Sequence, residues 1–257
     1  LGTVGFAIVV ILFFSGIFAD FLAPYGMNEF TLADRLTPPG SAKYILGTDT
    51  LGRDMLSRII FGARISMIVG LAGSALCIIV ASLIGLVTGF FGGVFDMVTQ
   101  RFVDAWMSFP SLFIALAVMS ILGPGLGAVI LVLGLFDGIR NSRVIRSAVI
   151  GIKENVYIQA SVAIGASTPR ILIRHVLPNV MAPIMVVFTM SVGRMILAEA
   201  TLSFLGFGIP PPEPSWGGML SGIARTYLLE APWLALWSGL ALAIVVFGVN
   251  MFGDAVR

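Results

Sequence analysis

SMIVGLAGSALCIIVASLIGLVTGFFG, residues Ser66 to Gly92, carries no charged residue and exceeds the roughly 20 apolar residues that a helix needs to cross a bilayer. It reads as a transmembrane helix. Within and just beyond it Gly85, Gly89 and Gly93 recur at four-residue spacing, which lets a neighbouring helix backbone approach closely.

The rest of the chain agrees. Of 257 residues, 58% are hydrophobic and only 11% are charged, whereas a soluble domain carries about a quarter charged residues. A soluble domain is thereby excluded. The net charge of +2 does not mark a nucleic-acid binder. Cys77, the single cysteine, has no intrachain partner, so no redox compartment follows.

Five further apolar runs flank the first: Leu1–Ala23, Phe102–Leu122, Gly125–Phe136, Ala182–Leu205 and Trp233–Phe252. The run at 125–136 is short and is expected to extend into Asn141. Six spans form one all-α integral membrane domain over residues 1–257. Leu1–Phe18 has no basic lead or small-residue cleavage site, and Asp20 and Pro24 follow, so it is not a signal peptide. The chain opens at Leu1 inside an apolar run and stops at Arg257, and further residues are expected at both ends.

Between the fourth and fifth runs lies a basic island, residues 138–179. It holds Arg140, Arg143, Arg146, Lys153, Arg170 and Arg174 against Glu154 alone. Basic loops stay on the cytoplasmic side. The island is therefore cytoplasmic, both termini lie inside, and residues 24–65 and 206–232 lie outside.

Val144 to Ile164 is helical in pattern and Gly165 interrupts it. Ser167 or Thr168 then caps a new helix whose first turn suits Pro169. That helix ends or kinks at Pro178. Small residues at the corner, among them Ala160, Ser161, Gly165, Ala166 and Ser167, leave room for a partner surface. On residue types alone, such an island is either a docking platform or an ordinary cytosolic connection.

The outer segments carry other expectations. Gly52 to Ile65 reads as an interfacial helix, with Met55, Leu56, Ile59, Ile60 and Ala63 on one face and Asp54 paired with Arg58. The proline-rich loop around Glu213 and Trp216 is expected near an outer gate or a binding-protein contact, or as a rigid cap. Asp137, Arg194 and Glu199 lie within spans, where charge is costly. They line a pathway or face the bundle interior.

Several motifs carry a resemblance. Gln159-Ala160-Ser161, Gly165 and Leu177-Pro178 resemble the Glu-Ala-Ala-x3-Gly-x9-Ile-x-Leu-Pro motif of ABC importer permeases. Gln159, Ser161 and His175 depart from it, and the absent acid removes one charged contact. Leu46-Gly47-Thr48-Asp49-Thr50-Leu51-Gly52-Arg53-Asp54, Arg101-Phe102-Val103-Asp104, Leu202-Ser203-Phe204-Leu205-Gly206 and Pro214-Ser215-Trp216-Gly217 are similar to the C-type permease of dipeptide, oligopeptide and nickel importers.

The resemblance implies a type I importer permease fold in a bacterial inner membrane, with peptides as cargo. It implies a B-type permease partner, two cytosolic ATPases that bind ATP and Mg, an external substrate-binding protein and surrounding lipid. The ATPases are expected to touch Gln159, Ala160, Ser161, Ile164, Gly165, Ala166, Ser167 and Arg170. No cofactor, metal or catalytic residue is expected in this chain. It has no Gly-x4-Gly-Lys-Ser/Thr loop, no His-Glu-x2-His and no Gly-x-Ser-x-Gly. Two alternatives stay open: import of nickel or a metal chelate within the same family, and a proton-coupled secondary carrier or channel using Glu199 or Asp137.

Overall fold

The structure, a computed structural model, describes residues 2–256; Leu1, the expected start of the first span, and the terminal Arg257 lie outside the described residues. The elements in chain order are α1 (Gly2–Ile17), α2 (Ala19–Leu22), a 3-10 turn (Leu32–Asp34), α3 (Met55–Phe91) and α4 (Gly93–Met107). Then come α5 (Ser111–Leu122), α6 (Leu126–Lys153), α7 (Val156–Ala163), α8 (Thr168–Ile171), a π-helical turn (Leu172–Val176) and α9 (Leu177–Asn179). The chain closes with α10 (Met181–Phe204), α11 (Trp216–Leu220), α12 (Gly222–Thr226) and α13 (Trp233–Val256).

Helices α3, α10 and α13 are long and apolar enough to cross a bilayer; α4 and α5 make a fourth crossing if their 85° bend is counted as one broken span. The expected span at 102–122 is thus not one rod. Pro110 has no N–H to give a helix ladder and pushes Phe109 out of the helical region, so the chain turns at Ser108–Pro110.

Helix α3 runs without a break for 37 residues, so the expected boundary at Ser66 is absent and the interfacial helix is simply its first turns. Asp54 does not pair with Arg58 through its side chain. It caps α3, its carboxylate accepting from the Ser57 backbone N–H at 2.8 Å and the Ser57 hydroxyl at 2.7 Å. Ser57 and Arg58, on the opposite side from the expected apolar face, are buried, because the segment between α2 and α3 folds across them. The Tyr25 N–H reaches the Ser57 hydroxyl at 3.0 Å, and the Arg58 guanidinium lies 3.7 Å from Asp49.

The segment between α2 and α3 is pinned at two hubs. Asp49 receives the N–H groups of Leu51 and Arg53 and the Arg53 guanidinium. Asp34 receives the Lys43 ammonium and the Tyr44 hydroxyl, which hold its carboxyl below the usual carboxylate range. Gly52 sits at φ +77° with the Thr31 carbonyl where a Cβ would go, so only glycine closes this turn.

Helix α6 extends well past Asn141, to Lys153. The first part of the basic island is therefore a helical stem. Its charge is balanced from α4: Arg143 pairs with Asp104, and Arg146 grips both oxygens of Asp96. These acids are distant in sequence, so local patterning hides them.

The central seam joins α3 to α6. A Cβ on Gly85 would stand 2.8 Å from the Ile145 Cβ, and one on Gly89 would stand 2.8 Å from the Val149 Cβ. From the other side, Gly134 faces Leu76 and Gly138 faces Val80. The two backbones thus approach through glycines on both helices, as the spacing of Gly85 and Gly89 anticipates. Gly93 is different: it starts α4 and has open space around it. On the other flank α1 packs along α13, with Gly5 against Met251 and Gly248 against Ile8.

Candidate functional site

The island's corner is built by α7, Gly165 and α8. Gly165 adopts φ +78°, which glycine alone takes freely, and the space beside it is empty. Its N–H donates to the Val162 carbonyl at 3.0 Å, and the Ala166 N–H donates to the Ser161 carbonyl at 3.1 Å. The turn reverses the chain. Ser167 then takes the extended conformation of an N-cap residue, Pro169 occupies the first turn of α8, and the π-helical turn follows just before Pro178.

One side of this corner is core. Ile158, Ile171 and Val176 are buried together with Ile145 and Val149 of α6 and Ile184 and Val187 of α10. The other side is open. Gln159, Ala160, Gly165, Ser167 and Arg170 are exposed, and Ser161 and Ala166 are half-buried. Ile164 is 84% exposed and Val156 80% exposed, among small and polar residues. Val156 and Val162 are absent from the expected contact set. Their signal is an apolar side chain between polar ones with no buried face to serve. A groove of about 300 Å³ lies beside the corner, lined by Phe90, Lys153, Glu154, Ile158, Gln159 and Val162. Gln159 spans part of it, its amide donating to the Glu154 carbonyl at 3.2 Å.

The charges expected within spans separate into two groups. Asp137 and Arg194 meet: the guanidinium donates to the carboxylate at 3.0 Å and to the Ser191 hydroxyl at 2.8 Å. The Ser191 hydroxyl also donates to Asp137 at 3.3 Å. Glu199 does not join them. It is fully buried and accepts from the Ser203 hydroxyl at 2.6 Å. Ser203 in turn receives the Ile209 N–H at 3.1 Å. Glu199 thus ties the C-terminal end of α10 to the loop that follows.

Trp216, expected at the outer gate or a binding-protein contact, is 2% exposed. Its indole lies against Gly62, and its N–H donates to the Ile59 carbonyl at 3.1 Å. A ring buried this way cannot meet an external protein, so Glu213 alone of the pair is presented outward. Trp216→Ala is expected to destabilise the fold by about 3 kcal/mol or more, the scale for an emptied aromatic site. Glu213→Ala is expected to leave stability unchanged. Thermal unfolding of the two purified variants checks both.

Residues 81–257 match the model of a family described as binding-protein-dependent transport system inner membrane component. The chain is 38% identical over 257 residues to a dipeptide transport system permease protein of Alkalihalophilus pseudofirmus, covering 100% of this chain and 84% of that one. It is 38% identical over 258 residues to a di/tripeptide transport system permease protein of Pseudomonas aeruginosa, covering 98% and 85%. A glutathione transport system permease protein of Pectobacterium atrosepticum is 35% identical over 249 residues, covering 97% and 82%. Among solved structures, a chain of the MetNI methionine ABC transporter superposes with a TM-score of 0.64 at 18% identity, over 79% of this chain and 98% of that one. At that identity the likeness establishes the fold only.

Proposed function

The chain belongs to the family of binding-protein-dependent transport system inner membrane components, and from that premise we propose that it is the C-type permease subunit of an ATP-driven peptide importer. Relatives named for dipeptide, di/tripeptide and glutathione transport support short peptides as the cargo. In this reading the chain supplies half of the pathway and a B-type permease supplies the other half. A substrate-binding protein delivers cargo outside, and two ATPases hydrolyse ATP inside.

The reading uses six crossings: α1 with α2, α3, the bent α4–α5 pair, α6, α10 and α13. Both termini are then cytoplasmic, residues 24–65 and 206–232 belong to the outer side, and the part of the 138–179 island beyond the end of α6 at Lys153 forms the inner loop. The single observation that carries the docking role is the α7–α8 corner. It presents Val156, Val162 and Ile164 to the surface among small and polar residues, flanked by Lys153, Glu154 and Arg170, and apolar anchors within a polar rim are how protein interfaces are built. When the ATPases close, the corner moves with them and the two permeases rock as rigid bodies, exchanging inward for outward access. The family match favours the permease over the proton-carrier alternative.

The test is co-purification with the neighbouring gene products, followed by uptake in proteoliposomes. An ATPase that comes down with this subunit, and peptide uptake that needs ATP, are the expected results. A chain that purifies alone and moves solute without ATP overturns the reading.

A further inference from the structure

Three arginines of α6 face different fates. Arg143 and Arg146 have acidic partners on α4, Asp104 and Asp96. Arg140 is exposed and has no ion pair among the described residues. It lies 14 residues into α6, which begins at Leu126, so at 1.5 Å per residue it stands roughly 21 Å from the outer end. That is still within a hydrocarbon layer of about 30 Å. An unpaired guanidinium at such depth is not left facing lipid; it lines water or meets another polar group.

Arg140 borders a cleft of about 350 Å³ between α5, α6 and α10, shared with Asp137 and Arg194. Its other walls are mainly apolar, including Leu112, Leu133, Leu197 and Ala198. Arg194 already spends its charge on Asp137. Two guanidinia against one carboxylate leave the cleft one positive charge in excess, and that charge is Arg140. The volume falls in the range of small-molecule sites, roughly 300–1,000 Å³. A cavity of this size exceeds what a single partner side chain needs.

Resting on the permease reading above, we propose that Arg140, backed by the Arg194–Asp137 pair, is a carboxylate-binding subsite in the translocation path. It takes the C-terminal carboxylate of a passing peptide while the apolar walls accept its side chains. Guanidinium and carboxylate match as a two-pronged, charge-assisted pair. The pair is transient, because the carboxylate must leave again.

The test uses the complete importer in proteoliposomes with saturating loaded binding protein, so that delivery affinity does not enter. Initial rates are compared for a dipeptide and its C-terminal amide. The wild type is expected to import the free acid faster by roughly tenfold, the scale of one hydrogen bond to a charged group. Arg140→Gln is expected to bring the ratio towards one by slowing the free acid alone. Should that variant fail to assemble, Arg140→Lys keeps the cation but loses the fork, and a partial fall in the ratio is expected.

A wild-type complex with no preference, or an Arg140→Gln or Arg140→Lys complex with the wild-type preference, overturns the subsite alone. An Arg140→Gln subunit that sheds its partner permease, while an assembled Arg140→Lys complex keeps the full wild-type preference, places a partner's carboxylate on Arg140 and overturns it too. A wild-type complex that imports no peptide overturns the permease reading itself.

Discussion

Gly85→Leu is expected to leave almost no folded permease in the membrane. The Cβ alone would stand 2.8 Å from the Ile145 Cβ, 2.8 Å from the Ser142 carbonyl oxygen and 2.9 Å from the Arg146 nitrogen. Two of those three atoms are backbone inside α6 and cannot swing aside. The helices would have to separate, and the neighbouring contacts at Gly89, Gly134 and Gly138 would go with them. In lipid there is no hydrophobic drive to press two helices together again, so close packing is itself the association energy. Overpacking in a soluble core costs about 1–3 kcal/mol. Here several contacts fail at once, and a loss above that range is expected. The measurement is the yield of monodisperse protein after detergent extraction, expected below roughly a tenth of wild type. Gly151→Leu is the control, since the facing helix α6 has open space at that position. Equal yields for Gly85→Leu and Gly151→Leu would show that the seam does not govern folding.

The features legible in the sequence share one property: their cause is local. An uncharged run such as Ser66–Gly92 declares a span by itself, and Gly85 and Gly89 declare a close approach by spacing. Gly165 marks its own turn because few other residues take φ +78°. What stayed hidden depends on partners far along the chain. Arg143 and Arg146 look like solvent-facing charges until Asp104 and Asp96 are brought beside them, which is why α6 continues where a cytosolic loop is expected. Ser57 and Arg58 look like an exposed polar face until Tyr25 and Asp49 cover it. Trp216 looks like an interfacial anchor until Gly62 provides its slot. Arg140 is the converse case. Its sequence surroundings count it with the orienting charges, and only the engagement of nearby Asp137 by Arg194, beside a cleft, sets it apart.

Ile164→Asp is expected to abolish import while leaving the permease folded. The side chain is 84% exposed, so within this chain the change removes no core contact and buries no charge. Stability and pairing with the B-type permease should be those of wild type. The corner's outer face is where the permease reading seats an ATPase, and there a carboxylate replaces an apolar anchor. Truncating a central anchor costs about 2–4 kcal/mol, and a desolvated charge without a partner costs more. ATPase recovered with the tagged permease is expected to fall by at least tenfold, the equivalent of about 1.4 kcal/mol. Gly165→Leu separates docking from shape. Among the described residues, no atom beyond its two chain neighbours lies within 4 Å of the added Cβ, so the cost inside the permease is mainly that of the left-handed backbone at φ +78°, about 1–2 kcal/mol. Any larger effect must come from what closes over the corner. If both variants retain the ATPase and import at wild-type rates, the corner is a connection between helices, and force from the ATPases must enter the permease elsewhere.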